Sequence, residues 1–177
     1  MNFINRGKIV NDFINKNPPL RVEALVKALG IQIKHVSLPD ARSAHLTYDG
    51  DKDKYMITVN DSEHTNRKNF SIAHELGHFF LHRDEVKKQK RMDRGPIESA
   101  SKPEERQREI EANKYASVLL VSNQALDKFL SSIGEEKISV ERLSSKFEVS
   151  TQVIRIRMKS YRFHNRLLHR KVTGLSA

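Results

Sequence analysis

Two histidines four residues apart, set in a stretch with helical apolar spacing, leave this chain few architectures. They belong to the run His74-Glu75-Leu76-Gly77-His78. Residues i and i+4 of an α-helix share a face, so both imidazoles can reach one tetrahedral ion while Glu75 projects beside them. From Asn66 to His82 the spacing of Phe70, Ala73, Phe80 and Leu76 or Leu81 predicts such a helix, with Asp61, Ser62, Thr65 or Asn66 available as its cap. Two imidazoles on adjacent turns of an apolar helix are costly to bury without partners, and a metal ion removes that cost.

Composition narrows the metal chemistry. The chain has 177 residues and no cysteine, so thiolate zinc fingers, iron–sulfur clusters, disulfide frameworks and cysteine nucleophiles are excluded, and any metal must use nitrogen and oxygen ligands. Zinc fits, and it lowers the pKa of a bound water to about 7, within reach of a carboxylate base at position 75. The opening residues lack the apolar core of a signal peptide and no run of 18 apolar residues occurs, so a cytoplasmic protein without a membrane partner is expected.

A catalytic zinc takes three protein ligands and keeps one position open. His82 shares the face of His74, but eight residues place it about 12 Å along the helix, too far to bind the same ion. Asp84 stands where a longer version of the motif has its last ligand, yet Leu81 replaces the glycine that the intervening turn requires. A second helix, from about Pro103 to Leu120, offers Glu109 and Glu111. Its apolar face is formed by Ala112, Tyr115, Ala116, Leu119 and Leu120; Glu109 lies near that face, whereas Glu111 points away and reads as a solvated partner of Lys114 or another neighbour. Asn113, one turn beyond Glu109, is placed to hydrogen-bond a liganding histidine or the glutamate. The small residues Ala112 and Ala116 let this helix approach the first one closely.

The run FSIAHELGHFFLH followed by ExEANxYAxxLL resembles the ImmA/IrrE family of metallo-endopeptidases, most clearly between Tyr55 and Val121. The resemblance implies a zinc cofactor, His74, His78 and Glu109 as its ligands, and Glu75 as the catalytic base. It also implies a substrate: members cleave helix-turn-helix repressors of the XRE type that control mobile elements or stress genes. The family often ends the second motif in Leu-Met-Pro, whereas Val121 and Ser122 follow Leu120 here.

Around these helices, RVEALVKAL predicts a short helix stopped by Gly30, and alternating segments predict strands at residues 31–36, 44–48 and 55–59. The expected fold is therefore α+β and zincin-like: a small antiparallel or mixed three-stranded sheet packed on the motif helix and the glutamate helix. The strand at 55–59 is expected to border the cleft, where it would pair with an extended substrate. Residues 83–108, highly charged and containing Gly95, Pro96 and Pro103, read as a mobile loop.

We expect a peptidase domain over residues 1–133 and a basic helical extension over 134–177. The net charge is +10, and from Thr151 onward there are seven Lys/Arg and no acid. Helices predicted at 139–147 and 151–164, with a turn at Phe147–Val149 and Ser150 as cap, resemble a helix-turn-helix. Arg155, Arg157, Lys159 and Arg162 are the candidates for contacting nucleic acid or a partner protein. Against this stands a packing role, in which Val153, Ile154, Ile156 and Met158 complete a core. The competing function is a non-catalytic, zinc-stabilised module of a toxin–antitoxin pair or DNA-binding regulator.

Overall fold

The computed structural model describes residues 3–16, 18–38, 43–89, 91–93 and 102–175. It divides into two compact units, Val22–Ala116 on one hand and Met1–Arg21 with Ser117–Ala177 on the other.

The first unit opens with helix α2 (Val22–Ala28), which buries Val22, Leu25 and Val26 and ends at Gly30 with φ +75°, as the stop signal predicts. Strands β1 (Gln32–Val36), β2 (Ala44–Asp49) and β3 (Lys54–Asn60) follow at the expected positions. In the turn between β2 and β3 the Asp49 carboxylate accepts from the backbone N–H groups of Asp51 and Lys52 at 3.1 and 3.2 Å, which closes the hairpin. The buried residues of β2 pair with buried residues of β3, Ala44 with Val59 and Leu46 with Ile57, so one sheet face is apolar.

Among the described residues the sheet has four strands in the order β1-β3-β2-β4, β4 being Arg91–Asp93, with β1 and β3 parallel and the remaining pairs antiparallel. Two expectations change here. Strand β3, expected at the cleft edge, is paired on both sides, so its backbone has no free ladder for a substrate. The mobile loop expected over 83–108 instead holds helix α4 (Arg83–Gln89) and strand β4 (Arg91–Asp93), and helix α5 (Pro103–Leu120) begins where the second helix was expected; residues 90 and 94–101 lie outside the described residues.

Charge accounts for α4. Asp84 and Glu85 sit in its first turn and Lys87 and Lys88 in its last, matching the helix dipole, while Val86 is buried. Arg83 donates to the Tyr55 hydroxyl at 2.9 Å and lies over the rings of Tyr55 and Phe79, tying α4 to the sheet.

Helix α3 (Thr65–Leu81) packs on β2, β3 and α2 and buries Ile72, Ala73, Leu76 and Phe79. Leu76 is the core residue and Leu81 is half exposed. Its cap is none of the four expected residues: the His64 side chain accepts from the Asn66 N–H at 3.2 Å. Ser62 is instead drawn to the Asn60 carboxamide.

Among the described residues, the regular structure of the second unit is helical apart from one small parallel pair. It contains α1 (Phe3–Ile14), the end of α5, α6 (Asn123–Ser132), α7 (Val140–Phe147), α8 (Thr151–His164) and α9 (Arg166–His169). Strands β5 (Ile138–Ser139) and β6 (Val172–Thr173) pair in parallel. Its core is built from Leu126, Leu130, Ile138, Leu143, Phe147, Ile154, Met158 and Tyr161. Ser150 caps α8 as expected, and Glu148 in the left-handed conformation ends α7. Among the described residues no helix is long and apolar enough to cross a membrane.

Candidate metal centre

Helix α3 brings its two motif histidines to the same side, both fully buried. They reach helix α5 because neither helix has bulk at the crossing. A Cβ placed on Gly77 would lie 2.9 Å from the Ala112 Cα, closer than side chains come to backbone, and 3.1 Å from the Ala112 carbonyl oxygen. The glycine that the motif leaves unspecified is thus where α5 passes, and Ala112 is its counterpart.

At that crossing three ligand atoms converge. His78 Nε2 lies 3.0 Å from His74 Nε2, and Glu109 approaches these nitrogens at 3.1 Å from His74 and 3.2 Å from His78 through its two oxygens. Four-coordinate zinc with bonds of about 2.0–2.1 Å separates its ligands by roughly 3.3 Å, so the triangle is the size such an ion needs. The Glu109 side chain is 12% exposed and the two imidazoles 1% or less.

The donor chemistry fits a cation. The Asn113 carboxamide oxygen lies 2.9 Å from His74 Nδ1, so that nitrogen donates and Nε2 presents a lone pair to the cluster. Burial pushes the His78 imidazole below its ordinary value, against the pull of Glu109, and so favours its neutral form. Burial also pushes the Glu109 carboxyl up, and hydrogen bonds from His74 and His78, when a proton stands on their Nε2 atoms, outweigh it and bring it to about 2. An ionised carboxylate facing imidazole lone pairs at these distances needs a proton or a metal ion between them. Among the described residues, His74, His78 and Glu109 are the group able to hold a metal in this way.

The remaining candidates are distributed as follows. Glu75 is fully buried in α3 between Asn113's partner His74 and Leu76. His82, excluded above as a ligand by distance, is 8% exposed and lies 3.1 Å from His78 through their Nδ1 atoms. Its other nitrogen is 2.9 Å from Glu111 Oε2, a partnership the helical phase of Glu111 did not suggest. Asp84 is exposed at the start of α4.

Of the four basic residues expected to contact a partner, Arg155, Lys159 and Arg162 stay at or near the surface. Arg157 does not: it is 5% exposed, and its guanidinium donates to the Val121 carbonyl, the Ser160 hydroxyl and the Asn123 carboxamide at 2.9, 2.6 and 2.8 Å. Val153, Ile154 and Met158 are in the core as the packing reading expects, but Ile156 is 53% exposed.

Comparison with known proteins adds three findings. A family model described as the IrrE N-terminal-like domain, Peptidase M78, matches residues 26–159. The Metallopeptidase ImmA of Bacillus subtilis (strain 168) is 30% identical over 130 residues, 73% of this chain and 70% of that protein. A solved structure titled Mycobacterium tuberculosis transcriptional regulator shares the fold with a TM-score of 0.54 at 16% identity; the match covers 89% of this chain, which spans about half, 47%, of that one.

Proposed function

We propose, on the premise that this chain belongs to the ImmA/IrrE family of metallopeptidases, that its substrate is a helix-turn-helix transcriptional repressor of the XRE type, cut at an internal peptide bond in the cytoplasm. The role would be anti-repression in mobile-element or stress regulation. The hydrolytic part of the reading rests on the approach of His74 Nε2, His78 Nε2 and Glu109 within 3.0–3.2 Å of one another, and the substrate class on the resemblance to the family.

In this reading those three residues hold the zinc and Asn113 orients His74. Bound there, zinc supplies Lewis acidity that brings the pKa of a coordinated water to about 7. Glu75 takes the proton of the attacking water on its carboxylate and returns it to the amine nitrogen that leaves when the peptide bond breaks. Its burial keeps this exchange away from bulk solvent. Arg155, Lys159 and Arg162 give the chain a basic surface suited to an acidic protein partner.

Incubating the zinc-loaded protein with a repressor encoded beside it should yield two discrete fragments. Glu75→Gln should slow that cleavage by about 10²–10⁴-fold, the usual contribution of a general base, with metal still bound. Cleavage at the wild-type rate by this variant would remove Glu75 from the mechanism.

The helix-turn-helix-like pairing of α7 and α8 through a three-residue turn supports a second reading, a zinc-stabilised regulator that contacts DNA without hydrolysis. Its signature is a salt-dependent DNA shift lost on replacing Arg155, Lys159 and Arg162 together.

A further inference from the structure

His82 and Glu111 lie beside the metal triad and make contacts that a surface pair would not need. On α3, His74, His78 and His82 follow one another at intervals of four, with ring centroids 4.7 and 5.2 Å apart. On α5, Glu109, Glu111 and Asn113 face this stripe. His74 is oriented directly, by Asn113. His78 has no such carboxamide; the group beside its Nδ1 is another imidazole.

The contacts of that imidazole fix the direction of every proton. Glu111 accepts from the Gln107 carboxamide through Oε1 at 2.7 Å and faces His82 Nε2 through Oε2 at 2.9 Å. A carboxylate can only accept, so His82 Nε2 is the donor. A neutral imidazole has one N–H, so His82 Nδ1 is left as an acceptor. The His78 Nδ1 at 3.1 Å must then donate, and His78 Nε2 is free of hydrogen where it faces Glu109.

We propose that Glu111 and His82 form a positioning relay that sets the tautomer and ring orientation of His78, so that both histidines present Nε2 lone pairs to one divalent cation. The relay rests on the reading of His78 as a ligand. It gives α5 three successive duties over five residues: Glu109 binds the metal, Glu111 acts on His78 through His82, and Asn113 acts on His74. Neither Glu111 nor His82 touches substrate or metal.

The test is zinc affinity of the full chain, measured by competition with a chromophoric chelator, together with long-range proton–nitrogen NMR of the imidazoles. Outer hydrogen-bond partners of metal ligands typically contribute 10–100-fold in affinity, so His82→Leu should weaken zinc binding by about that factor and Glu111→Leu by roughly tenfold. Glu111→Gln keeps a carbonyl acceptor for His82 and should stay within about threefold of wild type. Because the relay acts in series, His82→Leu combined with Glu111→Leu should be no weaker than His82→Leu alone. NMR should find the proton of His82 on Nε2 and that of His78 on Nδ1. Unchanged affinity in both leucine variants, additive losses in the double variant, or a His82 proton on Nδ1 would each overturn the relay. Should His82→Leu fail to fold, Glu111→Leu decides, since its side chain is 43% exposed. Zinc binding no tighter in wild type than in His78→Ala would instead defeat the ligand assignment, and the relay with it.

Discussion

A guanidinium removed from water must find acceptors for its donors, and Arg157 finds three, one on the segment that joins α5 to α6 and one on the first residue of α6. The Val121 carbonyl follows the last residue of α5 and has no partner further along that helix, so a cation there both satisfies the oxygen and faces the negative end of the dipole. Arg157→Met should therefore lower stability by about 2 kcal/mol through the orphaned carbonyl, while Lys159→Met changes it by less than about 0.5 kcal/mol. Urea unfolding of the two variants measures this, and equal midpoints would refute it. Nothing in the run Arg155-Ile-Arg-Met-Lys marks the middle arginine as buried. Helical phase places it between Ile154 and Met158 on the core side, yet a charge overrides that cue in any reading by hydropathy. Asp127 shows a similar sensitivity to context. Burial pushes its carboxyl up, but hydrogen bonds from Tyr161, His164 and Asn165 outweigh that and hold it below the ordinary 3.8. Its stabilising effect is thus present above pH 3.8 and lost as the pH falls through the lower folded value. Thermal melts between pH 2 and 7 should show Asp127→Asn less acid-sensitive than wild type, though less stable at neutrality; parallel curves would contradict this.

At the level of elements, the contact of Gly77 with Ala112 sets how near α3 and α5 can come. Gly77→Ala inserts a Cβ 2.9 Å from backbone that cannot rotate away, so the helices must separate and the Glu109 oxygens withdraw from the imidazoles. A shift of even 1 Å is large against bonds of about 2 Å, and we expect at least tenfold weaker zinc binding with far-ultraviolet circular dichroism unchanged. Wild-type affinity in this variant would show that the crossing has slack. Ala112 and the inward phase of Glu109 were legible from spacing alone, as were the boundaries of α3, α5, α7 and α8 and the first three strands. Helix α4 was not, because Arg83-Asp-Glu-Val-Lys-Lys-Gln has one apolar residue and its hold on the sheet comes from Arg83 against the Tyr55 ring, distant in sequence. Strand β4 is three residues long, too short for alternation to register, and is specified by pairing with β2.

For the molecule as a whole, the three candidate metal ligands fall entirely within the unit Val22–Ala116. Metal binding stabilises what it binds by mass action, so chelation should increase amide hydrogen exchange in α3 and the first turns of α5 by on the order of 100-fold at a zinc level 100 times Kd. Exchange in α7 and α8 should be unaffected, and a uniform rise across the chain would contradict that localisation. Charge is distributed otherwise. Beyond Thr151 the chain carries seven basic residues and no acid, but one of the seven, Arg157, is consumed by packing, and composition could not reveal which.

The pairings of His74 with Asn113, His78 with Glu109 and Gly77 with Ala112 hold α3 and α5 in a single register. One residue inserted between His74 and His78, or between Glu109 and Asn113, would rotate everything after it by about 100° and disengage these partners together. A library of single-codon insertions should accordingly yield working clones in the Asp49–Lys54 hairpin turn and none in either helical stretch. Variation in length, far more than variation in residue type, is what this centre forbids.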